Sequence, residues 1–234
     1  MTETAHSRMG GIGSERDADG PGPQVSDEAA TRATVDAVRE LIDTLRVADA
    51  PAETLARAAA LVEEATTVLR PHRVEAMRMQ GALRPERMTR LAADHVDLEG
   101  AFPDQPADYF PYSPIIGALN PVAPPLPVSW DGERLRGNAS LGACYVGPPE
   151  MVHGGIIALI FDEALGATNL CAGLGGFTGT LTIRYELPTP LLTPIDLECW
   201  IDKVEGRKIT TVGTLSHDGR VTARAEGIFI RARS

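Results

Sequence analysis

The segment from about Gly154 to Cys171 constrains this chain more than any other. Ile156, Ile157, Leu159, Ile160, Phe161, Leu165 and Leu170 fall on most sides of a helical axis, so a helix here must be largely buried. Gly173, Gly175 and Gly176 stop it. The chain downstream supplies material to bury it. Leu181, Ile183, Tyr185 and Leu187 alternate with Thr180, Thr182, Arg184 and Glu186, and Ile195, Leu197, Cys199 and Ile201 alternate with Asp196, Glu198, Trp200 and Asp202. That period of two predicts half-buried strands. Asp131-Gly132 and Asp218-Gly219 are hairpin dipeptides, Gly206 marks another turn, and strands around 208–216 and 221–230 complete a meander. One buried helix against an antiparallel sheet is an α+β architecture.

The rest of the chain is less informative. Residues 1–28 are rich in Gly, Pro, Ser and Asp, the composition of a disordered tail. Residues 29–95 predict a helical extension. Val35, Val38, Leu41, Ile42 and Leu45 recur at helical spacing, and a second helix over 51–69 carries Leu55, Ala59, Val62 and Leu69 on one face. Pro51 suits its first turn, and a third helical stretch over 74–91 is interrupted by Gly81 and Pro85. These helices read as a packing or oligomer-stabilising appendage. Residues 102–127 are Pro-rich, a rigid lead into a domain spanning 96–234.

Charge and cysteine usage exclude some functions. A net charge of -10 argues against a nucleic-acid partner, which requires a basic face. Cys144, Cys171 and Cys199 lack close spacing, and His72, His95 and His217 lack ligand spacing, so we expect reduced thiols, no metal and no cofactor. No signal-peptide pattern is present, and the apolar run 154–161 is short for a bilayer span. The expected setting is the cytoplasm.

Chemistry points to the start and middle of the central helix. His153-Gly154-Gly155 opens it, where bare backbone amides and the positive end of the helix dipole attract developing negative charge. In thioester hydrolysis that charge would sit on the carbonyl oxygen of the tetrahedral transition state. Glycines here also suit tight packing. The adjacent acids Asp162 and Glu163 point about 100° apart, and an inward Asp162 is costly unless hydrogen-bonded or at work in a site. Asp162 lies nine residues after His153, about 12 Å along the helix from the glycine amides. That is too far for both to serve one carbonyl carbon, so a site shared by two antiparallel subunits is expected.

The stretch from Met151-Val152-His153-Gly154-Gly155 through Phe161-Asp162-Glu163 to Gly166 resembles the signature of the PaaI-like branch of the hotdog thioesterase superfamily. Phe177-Thr178-Gly179-Thr180 through Leu187-Pro188 is similar to the strand that follows in those enzymes, and Gly147-Pro148-Pro149-Glu150 matches a "GPP…HGG" variety. The resemblance covers roughly 112–231 and not the N-terminal helices. It implies a hotdog fold, an antiparallel sheet wrapped around one long helix. It further implies an acyl-CoA substrate and a homo-oligomer, dimer or dimer of dimers. Asp162 would be the general base or nucleophile, Gly154 N–H the oxyanion donor, His153 a structural residue tying loop to helix, and Thr178 a residue positioning water. Gly155 would line the substrate, and Arg184, Arg207 and Lys208 are candidates for the CoA phosphates. Where some relatives carry Asn six residues before the histidine, this chain has Gly147. Two rivals are a non-catalytic acyl-CoA-binding regulatory domain and an enoyl-CoA hydratase. Asp162 disfavours the first, and the absent Asp-to-His loop spacing disfavours the second.

Overall fold

The computed structural model describes residues 25–73, 106 and 110–231. Two helices come first, α1 (Val25–Val47) and α2 (Ala52–Leu69). The strands are β1 (Val128–Trp130), β2 (Arg134–Ser140), β3 (Phe177–Tyr185), β4 (Pro194–Glu205), β5 (Lys208–His217) and β6 (Arg220–Ile230), with α3 (Gly154–Cys171) between β2 and β3. The strands form one sheet in the order β1-β2-β4-β5-β6-β3, and every neighbouring pair is antiparallel. This is the hotdog arrangement. The connection through α3 carries the chain from β2 across the sheet to β3 at the far edge.

Local chemistry sets the turns. Asp218 and Gly219 both have positive φ (48° and 72°), the pairing whose twist matches that of the flanking strands. Gly206 (φ 57°) turns β4 into β5. The alternation then places Ile195, Leu197 and Cys199 of β4, Ile209 and Leu215 of β5, and Ala223, Ala225 and Phe229 of β6 on the helix side, all buried. They meet Ile157, Ile160, Phe161, Ala164 and Leu165 of α3 in one cluster. Phe161 is fully buried, a position where truncation to Ala costs about 3–5 kcal/mol. Its ring needs Gly213 opposite: a Cβ there would lie 3.3 Å from Phe161 Cε1 and 2.7 Å from Cys199 Sγ.

Three expectations change. Residues 25–28 belong to α1 rather than to a disordered tail, and a Glu28–Arg32 ion pair of 3.2 Å spans its first turns. The stripe Leu55, Val62 and Leu69 on α2 is exposed, and α2 has no buried residue. Pro51 stands just before the first turn as N-cap rather than within it. The third helical stretch over 74–91, His95 and residues 1–24 lie outside the described residues. By length and composition α3 would suffice to cross a membrane, which the shorter run 154–161 did not suggest. In this fold its sheet-facing side forms the core instead.

The first helix is tied down by contacts that no local pattern announces. Val35 is buried, Arg39 Nη2 donates to the carbonyls of Gly117 (3.0 Å) and Asn120 (2.8 Å), and Asp43 accepts from Cys144 N–H at 3.2 Å.

Candidate active site

A helix begins with four backbone amides that lack helical partners. At the start of α3 most of them are used. The His153 ring accepts from Gly155 N–H through Nδ1 at 2.9 Å, and His153 O accepts from Ile156 N (2.9 Å) and Ile157 N (3.2 Å). Gly154 N–H is left without an acceptor among the described residues. Gly155 therefore does not offer its amide to a ligand as the two-glycine pattern suggested, because the imidazole consumes it. The N-cap geometry also fixes the tautomer, since Nδ1 must be unprotonated to accept.

The loop before the helix is held as closely. His153 N–H donates to Tyr145 O (2.9 Å), Gly147 N–H to Met151 O (2.9 Å) and Val152 N–H to Thr189 O (2.9 Å). A Cβ at Gly147 would lie 2.7 Å from His153 Cα. The position six residues before His153 is thus a backbone packing position here, with no room for a side chain. On the other side, Tyr185 OH donates to Gly154 O at 2.8 Å. A cleft of about 370 Å³ adjoins this point, lined by Pro148, Met151, Val152, Gly154, Tyr185 and Leu187 among others. A larger hollow of about 690 Å³ lies over β1, β2, β4 and β5 and contains none of the candidate site residues.

The two adjacent acids part company. Glu163 accepts a 2.6 Å hydrogen bond from Ser113 Oγ. Ser113 is fully buried, and its Oγ accepts in turn from Ile115 N and Ile116 N (3.1 and 3.2 Å). Glu163 is a structural tie to the 110–120 loop. Asp162 points elsewhere and accepts from Thr178 Oγ1 at 3.0 Å. It is exposed, as is its neighbour Leu159 at 50%. An inward, desolvated Asp162 is therefore not found in the single chain: the sheet covers one side of α3, and Asp162 sits on another.

The cations do not converge. Arg184 lies on the strand face away from α3, opposite Arg224, which is ion-paired to Glu186 at 3.1 Å. Arg207 sits in the β4–β5 turn and donates twice to Arg231 O (2.9 and 2.6 Å). Lys208 pairs with Ile230, itself opposite Phe177, so Arg184 and Lys208 stand at opposite ends of the strands, about 23 Å apart at ~3.3 Å per residue. They cannot grip one phosphate within a chain.

Burial disfavours the thiolate form at all three cysteines. Burial pushes the Cys199 thiol far up, with the Glu198 charge adding to it, lifts Cys171 to about 12, and raises Cys144. No cluster of His, Cys, Asp and Glu among the described residues has the make-up of a metal site.

No family model matches the chain. A crystal structure described as a thioesterase superfamily protein superposes on 86% of this chain and 94% of its own, with TM-score 0.70 and 30% identity. The chain belongs to the thioesterase superfamily. An 86% match is more than residues 96–234 can supply, so the superposition on this superfamily member reaches into the N-terminal extension. Curated relatives in the superfamily include acyl-coenzyme A thioesterase THEM4 of Xenopus laevis, 37% identical over 89 residues (36% of this chain, 39% of the relative). Acyl-coenzyme A thioesterase THEM5 of Homo sapiens is 33% identical over 94 residues (38% of this chain, 37% of the relative). The matched region thus spans under two fifths of either relative.

Proposed function

We propose that this protein hydrolyses an acyl-CoA thioester to a free acid and CoA, as a PaaI-like member of its superfamily. The observation that carries the reading is the Gly154 amide, free at the positive end of α3 while its neighbours are occupied. Gly154 N–H holds the thioester oxygen as negative charge develops on it. Asp162, oriented by Thr178, takes the proton of an attacking water, or attacks directly to form an acyl-aspartyl anhydride that water then hydrolyses to the free acid. The carbon–sulfur bond then breaks and CoA leaves as a thiolate that is reprotonated. His153 acts through the helix start, not on substrate. The names of the curated relatives support acyl-CoA as substrate class.

Each site draws on two chains. Eight residues separate Gly154 from Asp162 on one helix, about 12 Å. Two chains related by a two-fold axis, with β3 edges side by side and the α3 helices antiparallel, bring Asp162 of one beside Gly154 of the other. The exposure of Leu159 on α3, and of Phe177 (64%) and Tyr185 (52%) on the edge strand β3, supports such a face.

Thiol release across an acyl-CoA panel tests the activity. Asp162→Asn should fold and lose at least ~10²-fold in kcat. Mixing Asp162→Ala chains with chains disabled in the Gly154 loop should restore activity in heterodimers. Full turnover by a verified monomer overturns the shared site, and acyl-CoA binding without thiol release overturns the enzyme reading.

A further inference from the structure

Two consecutive glycines are a poor way to hold an amide still, because glycine has more backbone freedom than any other residue. The start of α3 overcomes this with a clamp. The peptide unit joining Gly154 to Gly155 is planar, so fixing both of its ends fixes its orientation. Its N–H is held by His153 Nδ1 at 2.9 Å and its C=O by Tyr185 OH at 2.8 Å. The preceding peptide unit, whose N–H is that of Gly154, is anchored at its carbonyl by Ile156 N and Ile157 N. The tyrosine ring also sits where a side chain on Gly154 would go, with Oη, Cζ and Cε1 at 3.4, 3.5 and 3.6 Å from an ideal Cβ. Tyr185 thus restrains Gly154 by a hydrogen bond and by contact.

Within the single chain Tyr185 is 52% exposed at the end of β3, on the edge that the proposed dimer covers, and its hydroxyl turns to Gly154 O. Leu181 and Ile183, on the same strand face, pack against the core, while Tyr185 reaches over to the helix start.

We propose that Tyr185 is a positioning residue for the oxyanion contact: it holds the Gly154–Gly155 peptide so that Gly154 N–H keeps one direction. The inference rests on the thioesterase reading above. Tyr185 touches no reacting atom and acts through the main chain of Gly154.

Tyr185→Phe keeps the ring and deletes only the hydroxyl, so it is the variant to compare with wild type. We expect kcat to fall roughly five- to tenfold, the scale of one neutral hydrogen bond, with KM within about twofold of wild type. Amide exchange of Gly155, whose N–H is bonded to His153 Nδ1, should quicken when followed by NMR, while the rest of α3 is unchanged. A raised KM at unchanged kcat overturns the proposal, because Tyr185 would then be contacting substrate. Unchanged kcat with unchanged exchange overturns it as well. If wild type releases no thiol from any acyl-CoA, the thioesterase reading fails and the positioning role falls with it. The exchange comparison then shows separately whether the hydroxyl clamps the peptide.

Discussion

Gly147→Ala puts the packing of the helix-start loop to a direct test. A methyl carbon at position 147 would lie 2.7 Å from His153 Cα and 3.1 Å from His153 N, where ordinary contact begins at 3.4 Å. The obstacle is main chain, which cannot rotate aside, so the two segments must part by about 0.7 Å. Gly147 N–Met151 O and His153 N–Tyr145 O are both 2.9 Å now, and a shift of that size stretches either to about 3.6 Å, past useful length. The expected cost is about 1–3 kcal/mol, the range for forcing atoms into a packed site. For a chain of this size that lowers the melting temperature by about 2–12 °C. Turnover should suffer more than stability, because His153 opens α3 and moves Gly154 N–H with it. Misplacing a catalytic group by about 1 Å costs up to ~10²-fold. Calorimetry and thiol release on the same preparation measure both effects. A Gly147→Ala protein that melts within about 1 °C of wild type and keeps its kcat refutes the claim that this close approach fixes the loop.

Other substitutions separate roles that the sequence leaves merged. Asp162→Asn should abolish most turnover with little change in melting temperature, since Asp162 is exposed and has one side-chain partner, whereas Glu163→Gln should keep most turnover; the reverse pattern would reassign the base. Ser113→Ala removes the acceptor of the Ile115 and Ile116 amides and one hydrogen bond to Glu163, and should destabilise by about 1–3 kcal/mol in denaturant unfolding. Gly166→Ala should act in the opposite direction. Its added carbon meets only Phe229 at 3.8 Å, so removing a mid-helix glycine should raise stability by about 0.4–1 kcal/mol, and a lower melting temperature would show that this face of α3 is closed off.

The sequence by itself determined the elements and the chemistry they carry. The apolar segment 154–171 had to be a buried helix, the alternation after Thr180 and Pro194 had to be strands, and Asp218-Gly219 had to turn between two of them. Such signals are local: periods of 3.6 and 2 and the backbone preferences of single residues act within a few positions. His153-Gly154-Gly155, Asp162 and Thr178 were nameable as candidates for the same reason. Only the tertiary structure decided which of them meet. Nothing in the order of residues says that β3 returns to pair with β6, or that Asp162 faces Thr178 while Glu163 faces Ser113, fifty positions earlier. Likewise Arg39 grips carbonyls 78 and 81 residues away, Gly147 presses on His153, and Tyr185 reaches Gly154. These contacts join segments far apart in the chain, and they are set by which faces pack together once α3 has found the sheet. The free amide of Gly154 belongs to both levels. Two glycines after a histidine made it available, and the packed loop, the imidazole and the tyrosine left it the unpaired donor of the turn.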